Sequence, residues 1–232
     1  VTATFLNALL IPATPGTEIR GLGEMYPLNG PSWSLLFEYI GNILYALCIR
    51  RLPTRALAVL VAAAGCGLAA FGILGPYGDV CAGFSLTGTE FTAGFFRLMF
   101  SFPAGLLLAR VLKPAPIRGA FWKCTLLVVA LLAVPRIGGD RHLWMNGLYD
   151  TICCVLLFPL IVRWGASGRI TDACTTRICK FLGDISYPLY MVHYPFIYLY
   201  YAWVKNEGLT FGESLPARLF DHRHAGKRRD QR

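Results

Sequence analysis

Six long runs of apolar residues make up most of the chain, and short polar stretches separate them. At about 1.5 Å of rise per residue, the first run would form a helix of roughly 26 Å, close to the thickness of a bilayer core. The pattern therefore predicts an all-α fold, a transmembrane bundle of about six helices. The runs are Trp33 to Ile49, Ala56 to Leu74, Phe91 to Leu112, Trp122 to Val134, Leu148 to Trp164 and Leu182 to Val204.

The composition agrees with a membrane protein and excludes other classes. Hydrophobic residues make up 55% of the 232 residues, charged residues make up 15%, and the mean hydropathy is +0.51. A typical soluble domain is about one quarter charged. The apolar content excludes a disordered chain. The eight cysteines lie scattered through apolar runs, unlike the dense disulfide framework of a small secreted domain.

Basic residues mark the loops that we expect on the cytoplasmic side, where short loops carry an excess of Lys and Arg. Residues 50–55, 110–123 and 163–180 are rich in Arg and Lys, whereas residues 1–32 and 75–90 are not. The alternation predicts that residues 1–32 are non-cytoplasmic and that the chain then crosses the membrane six times. We expect residues 1–204 to form one membrane domain.

The end of the chain departs from this pattern. The formal net charge is +9, and residues 205–232 hold seven basic and four acidic residues, although six crossings would place them outside. We interpret this segment as a polar basic tail that is disordered in solvent; the alternatives are a polybasic patch on a membrane surface and a missing span before the tail. We expect no nucleic-acid partner.

Two charged residues lie inside predicted spans. Glu38 follows Ser34 by one helical turn in the first run, and Arg97 lies in the third run. A charge at the centre of a membrane helix costs about 2.5–3.5 kcal/mol on insertion scales, so it normally faces a cavity or a partner. The predicted topology puts both residues near the same leaflet. Two interpretations stay open: an ion pair that holds two helices together, or a reaction or substrate site.

The last apolar run carries a second polar set. Ser186, Tyr190 and His193 recur at i, i+4 and i+7, which places them on one face of a helix. The histidine is either a packing residue or a catalytic group. The chain contains neither a glycine loop of the kind that cradles phosphate nor a cluster of metal-ligand spacing, so we expect no metal.

Several motifs resemble the acyltransferase 3 family of integral membrane O-acyltransferases. The sequence from Asn29 to Glu38, NGPSWSLLFE, is similar to the family signature N-x-P-x-W-S-L-x-x-E. The sequence from Leu182 to His193, LGDISYPLYMVH, is similar to L-G-x-I-S-Y-x-L-Y-L-x-H. Between them, residues 97–105 and 148–160 resemble two further spans of the family. The motifs occur in the family's order over most of the chain.

The resemblance implies an enzyme that moves an acyl group, commonly acetyl, from acyl-CoA to a hydroxyl of an extracytoplasmic or lipid-linked carbohydrate. It implies a multi-pass protein of the bacterial inner membrane, with the bilayer, the acceptor and acyl-CoA as partners and with no bound cofactor. Glu38 and His193 are then the candidate catalytic residues. The candidate substrate-binding residues are Asn29, Trp33, Ser34, Arg97, Ser186 and Tyr190.

The chain also departs from the family pattern. Members begin with a D-G-L-R-G type segment followed by a histidine that is thought to be the general base, and they continue through an R-x-x-R-I-x-P loop; this sequence holds neither. A sugar hydroxyl needs such a base, which typically contributes 10²–10⁴-fold. We therefore expect this to be the C-terminal portion of an acyltransferase, inactive unless an upstream half is supplied. An inactive remnant or scaffold and a transporter of small solutes or lipid-linked sugars remain as alternatives.

Overall fold

The computed structural model describes residues 2–13, 23–113, 116–136, 141–170 and 172–208, and helices dominate them. The predicted all-α class is confirmed. The α-helices are α1 (Thr2–Ala8), α2 (Ser32–Leu47), α3 (Thr54–Leu74), α4 (Gly88–Val111), α5 (Ala120–Leu132), α6 (Leu143–Ile152), α7 (Phe158–Ala166) and α8 (Ala173–Asn206).

Short elements join some of these helices. A 3₁₀ turn, Ile49–Arg51, follows α2, and a π-helical segment, Cys153–Leu157, makes α6 and α7 one continuous helical stretch. Two strands of two residues each, β1 (Ile117–Arg118) and β2 (Gly168–Arg169), pair in parallel. This pairing ties the beginning of α5 to the end of α7.

Three helical stretches among the described residues are long and apolar enough to cross a membrane: Thr54–Leu74, Gly88–Val111 and Leu143–Ala166. They match the second, third and fifth predicted runs to within a few residues at each end, and they confirm an integral membrane helix bundle. Helix α5 is apolar but shorter, with 13 residues, and α2 has 16. The number of crossings and the sidedness of the loops stay predictions.

The core lies where α3 packs against α4 and α6. Ala64 and Leu68 of α3 pack with Phe100 and Ala104 of α4, and Val155 of the π-helical segment joins this cluster. Small residues are common at such interfaces because helices in lipid associate through close packing. Helix α3 is rich in alanine and glycine, so its neighbours can approach its backbone.

The crossing of α3 and α6 is a close contact between two backbones. It occurs at Gly72 and Gly147, where a Cβ on Gly147 would overlap the carbonyl group of Gly72. The same added atom would lie 3.2 Å from the Cα of Ile73. Glycine is therefore required at position 147 by the neighbouring backbone, which cannot move aside as a side chain can.

The loop between α3 and α4, residues 75–87, is held by segments on both sides. The Arg136 guanidinium donates to the Tyr77 carbonyl at 3.2 Å and pairs with Asp79 at 3.3 Å. On the other side, the Met25 N–H donates to the Phe84 carbonyl at 2.9 Å. These contacts tie the loop to the segment after α5 and to the segment before α2.

The chain divides into two compact units, residues 1–186 and residues 187–232, and α8 runs through the division. Helix α8 begins nine residues before the predicted run at Leu182 and contains Pro188 and Pro195. Each proline removes one backbone N–H donor from the helix. Most of the predicted basic tail, from residue 209 onward, lies outside the described residues.

Alkaline pH should destabilise the segment that precedes α2. Tyr26 is fully buried and its hydroxyl donates to the Leu10 carbonyl at 2.6 Å. Burial raises the pKa of Tyr26 from 10.0 to about 12. Between these two pH values the folded protein keeps a proton that the unfolded chain loses, so the free energy of unfolding falls as pH rises. The slope is at most about 1.4 kcal/mol per pH unit, the value for one proton.

Thermal unfolding in lipid nanodiscs, followed as a function of pH, measures this effect. Tyr26→Phe should flatten the fall in Tm above pH 10, the ordinary pKa of tyrosine. Tyr187→Phe is the matched control, because Tyr187 is 61% exposed. Equal pH dependence in the unchanged protein and in Tyr26→Phe would contradict the prediction.

Candidate functional site

One face of α4 carries a carboxylate, a glycine and a guanidinium in succession. Glu90, Gly94 and Arg97 recur at i, i+4 and i+7, so all three positions lie on the same face of the helix. Glu90 lies in the first turn and is only 3% exposed. Arg97 is partly buried. A negative and a positive side chain are thus held two turns apart along one helix.

The loop before α4 bridges these two charges with a single peptide group. The Gly83 N–H donates to Oε2 of Glu90 at 2.9 Å, in a buried hydrogen bond. Nη1 of Arg97 donates to the Ala82 carbonyl at 3.2 Å. The Ala82 C=O and the Gly83 N–H belong to the same peptide bond. We call it the 82–83 peptide.

Two glycines allow the 82–83 peptide to lie on α4. Gly83 has a φ of +113°, a conformation that side chains with a Cβ rarely adopt. A Cβ on Gly83 would lie 2.9 Å from the Cα of Gly94 and 2.8 Å from Cζ3 of Trp33. A Cβ on Gly94 would meet the Phe37 ring at 2.6 Å. The loop, α2 and α4 therefore meet at van der Waals contact.

The Trp33 ring covers the guanidinium from α2. The Arg97 Cζ lies 4.9 Å from the centre of the Trp33 ring, the geometry of a cation–π contact. Phe37, one turn further along α2, packs edge-on against Trp33 with ring centres 5.8 Å apart. The predicted substrate-binding residues Trp33 and Arg97 are therefore brought together.

The guanidinium keeps hydrogen-bonding capacity after these contacts. An arginine side chain has five N–H donors, and within the described part of the chain the Ala82 carbonyl accepts one of them. Trp33 fixes the plane of the group without using a donor. The arrangement can therefore present a cation of fixed orientation to a negatively charged or partly negative oxygen.

Glu38 does not pair with Arg97. Within the described residues no salt bridge joins the two side chains, and Glu38 is exposed. The reason is the direction in which each side chain of α2 points. Trp33 and Phe37 make contact with α4 and its loop, and Glu38 is rotated from Phe37 by about 100° around the helix axis. The ion-pair interpretation of Glu38 and Arg97 is therefore wrong.

The two other predicted residues of the first motif lie at the beginning of α2. The Asn29 carbonyl accepts the Ser32 N–H at 2.9 Å, which belongs to the turn that starts the helix. The Ser34 hydroxyl donates to the Pro31 carbonyl at 3.0 Å. These contacts organise the start of α2, which carries Trp33.

The predicted polar residues of α8 are placed by contacts within that helix. The Ser186 hydroxyl donates to the Gly183 carbonyl at 2.8 Å. In the second unit, Nδ1 of His193 lies 2.8 Å from the Tyr190 carbonyl, and the two rings are 5.8 Å apart between centres. A carbonyl can only accept, so Nδ1 carries the proton and the lone pair of a neutral ring is on Nε2.

Sequence reasoning missed Glu90 and the 82–83 peptide. The predicted run began at Phe91, three residues after α4 begins, so Glu90 was assigned to the preceding loop. Its spacing from Arg97 is the signal that would have found it, had the helix been started at Gly88. The contact with Gly83 has no local signal, because it depends on how the loop folds back onto α4.

The Tyr77 hydroxyl lies beside the Glu90 carboxylate. Hydrogen bonding to that carboxylate and its negative charge raise the pKa of Tyr77 above its ordinary value.

Among the described residues, no group of three or more His, Cys, Asp or Glu side chains is arranged to hold a metal ion. The chemistry available at this site is that of one guanidinium, one carboxylate and the groups around them.

A bundle of long apolar helices, with a stacked guanidinium and a buried carboxylate on one of them, defines an integral membrane protein with a polar site between helices. The sequence profile of the acyltransferase 3 family, an acyltransferase domain, matches residues 2–220. The chain therefore belongs to that family and is an acyltransferase of the membrane type, as the sequence motifs predicted. Searches of the curated proteins and of the solved structures each find no match.

Proposed function

We propose that the protein transfers an acyl group, acetyl in the first instance, from acyl-CoA to a hydroxyl of an extracytoplasmic or lipid-linked carbohydrate in the bacterial inner membrane. The observation that carries the proposal is the orientation of the Arg97 guanidinium by Trp33 and the Ala82 carbonyl. Arg97 lies nine residues after the start of α4, about 13 Å along the helix at about 1.5 Å per residue. That depth lies within a hydrocarbon core of about 30 Å.

The reaction requires a positive charge close to the oxygen of the acyl group. The acceptor oxygen forms a bond to the acyl carbon, and negative charge develops on the thioester oxygen. The carbon–sulfur bond then breaks, and coenzyme A leaves as the thiol after taking a proton. In our proposal the remaining N–H groups of Arg97 donate to the thioester oxygen, and they do so more strongly as its charge grows. Oriented donors of this kind often contribute the largest share of catalysis.

The hydroxyl proton needs a base, and Glu38 is our first candidate. Its carboxylate is exposed on α2, one turn beyond Ser34 and five residues beyond Trp33. A charged group in an apolar helix requires a polar partner, and a sugar hydroxyl would supply one. His193 is the alternative base, because its Nε2 carries the lone pair when Nδ1 is bonded to the Tyr190 carbonyl.

Transfer of radiolabel from acetyl-CoA into glycolipid or polysaccharide, in membranes that contain the protein, tests the proposal. Glu38→Gln should lower the rate by at least about 100-fold, the lower end of what a general base contributes. Glu207→Gln makes the same chemical change at an exposed position near the end of α8 and should leave the rate unchanged.

The possible outcomes separate the reaction from the site. Labelled product from the unchanged protein, with Glu38→Gln as active as Glu207→Gln, would remove Glu38 from the mechanism. A loss of transfer in His193→Gln would then identify His193 as the base. Membranes that contain the protein together with an upstream half of the family domain, but transfer no label from any acyl-CoA, would overturn the proposed reaction.

A further inference from the structure

We propose that Glu90 is a positioning residue for Arg97 and acts through the 82–83 peptide. The inference rests on the proposed function of Arg97, and it adds a residue that neither the sequence motifs nor the charge pattern indicated. Glu90 is buried, and the peptide group that both side chains contact links it to Arg97.

The electrostatics of the peptide group fit this role. Its N–H points to the Glu90 carboxylate and its C=O points to the Arg97 guanidinium, so the peptide dipole is favourably oriented toward both charges. Hydrogen bonds that involve an ionised group are roughly twice as strong as neutral ones. Bonds in such a series also polarise one another, since a carboxylate on the N–H side makes the carbonyl a better acceptor.

The packing leaves the peptide little room to turn. Trp33 and Gly94 both lie against Gly83, closer than an added Cβ would tolerate. The motion that remains is rotation of the peptide plane, and the hydrogen bond from the Gly83 N–H to Glu90 restricts that rotation. When that plane rotates, the Ala82 oxygen moves and the guanidinium moves with it.

A buried N–H without an acceptor is costly, so loss of the carboxylate should reorient the peptide. Glu90→Leu removes the acceptor at similar volume, and we expect kcat to fall by about 10-fold or more, as for loss of one hydrogen bond to a charged group. Glu90→Gln keeps an acceptor oxygen and should stay within about 5-fold of the unchanged protein. In an Arg97→Lys background, Glu90→Leu should cause no further loss.

A signal from Trp33 reports the position of Arg97 independently of activity. The difference in fluorescence between the protein and its Trp33→Phe variant, both in lipid nanodiscs, isolates the emission of Trp33. Arg97→Leu should change this difference spectrum because the stacked cation is removed. We expect Glu90→Leu to give the same change and Glu90→Gln to give none.

Two further variants keep the test decisive. Tyr149→Phe removes a hydrogen bond to the Leu131 carbonyl, which joins α6 to α5, and should leave the Trp33 signal unchanged. If Glu90→Leu does not fold, Glu90→Met removes the same acceptor with a more flexible apolar side chain and should reproduce the Trp33 change.

The outcomes distinguish this inference from the proposed reaction. An unchanged Trp33 signal in Glu90→Leu, or equal loss of kcat with and without Arg97, overturns the role of Glu90 while the acyl transfer stands. Absence of transfer by the unchanged protein when an upstream half is supplied overturns the proposed reaction, and the Trp33 spectra still decide whether Glu90 positions Arg97. A Trp33 change shared by Glu90→Leu and Arg97→Leu supports the inference.

Discussion

Replacing Arg97 with lysine lowers kcat/KM for acyl transfer by about 100-fold, the expected loss when one oriented donor to a developing oxyanion is removed. Lysine keeps the positive charge but lacks the planar group that stacks on Trp33 and bonds to the Ala82 carbonyl. Its ammonium group is a point charge on a flexible chain. The measurement is the initial rate of transfer from radiolabelled acetyl-CoA by the protein in nanodiscs, with both substrates varied.

The matched control is the same substitution at the other end of α4. Arg110 donates to the Leu52 carbonyl at 2.6 Å and so holds the turn between α2 and α3. Arg110→Lys should stay within about 3-fold of the unchanged protein in kcat/KM. If the two substitutions reduce transfer equally, the effect at position 97 is one of stability, and the proposed role of the guanidinium fails.

Replacing Gly147 with valine should prevent the native crossing of α3 and α6. The added Cβ would overlap the Gly72 carbonyl, so the two backbones would have to separate. Overpacking of a core typically costs about 1–3 kcal/mol and occasionally more. We expect a cost above about 3 kcal/mol because the obstructing atoms are backbone on both sides. The measurement is thermal unfolding of the purified protein in detergent.

The control for this prediction is a glycine with open space around it. Gly105 lies within α4, and a Cβ added there meets no atom within 4 Å. Gly105→Ala should leave Tm unchanged or raise it slightly, because alanine favours a helix by up to about 1 kcal/mol over glycine. A Gly147→Val protein with the Tm of the Gly105→Ala protein would show that the crossing tolerates a side chain.

The membrane helices were predictable because lipid imposes a strong rule on sequence. A spanning segment has to be apolar throughout, so the runs at residues 56–74, 91–112 and 148–164 matched helical stretches with errors of a few residues. The π-helical segment Cys153–Leu157 has no such signature, and the sequence predicted a regular helix there. Val155 of this segment packs against the core of α3 and α4, a contact between distant parts of the chain that the local sequence does not indicate.

The candidate site was predictable in part. Trp33 and Arg97 were found because a motif and a charge within an apolar run drew attention to them. The sequence left open whether Glu38 pairs with Arg97, because helical phase decides which of two adjacent residues faces a neighbour, and Phe37 occupies that position. Glu90 was missed because its partner is a backbone N–H, and backbone groups look the same at every position of a sequence.

Two of its own arginines fasten helix α4 to neighbouring segments. Arg97 holds the Ala82 carbonyl in the loop before the helix, and Arg110 holds the Leu52 carbonyl in the turn before α3. We therefore expect α4 to keep its position relative to these two segments. If a donor and an acceptor enter from opposite faces of the membrane, the movements that admit them have to occur in elements around α4. A cross-link that immobilises α4 against α3 should then leave substrate entry intact.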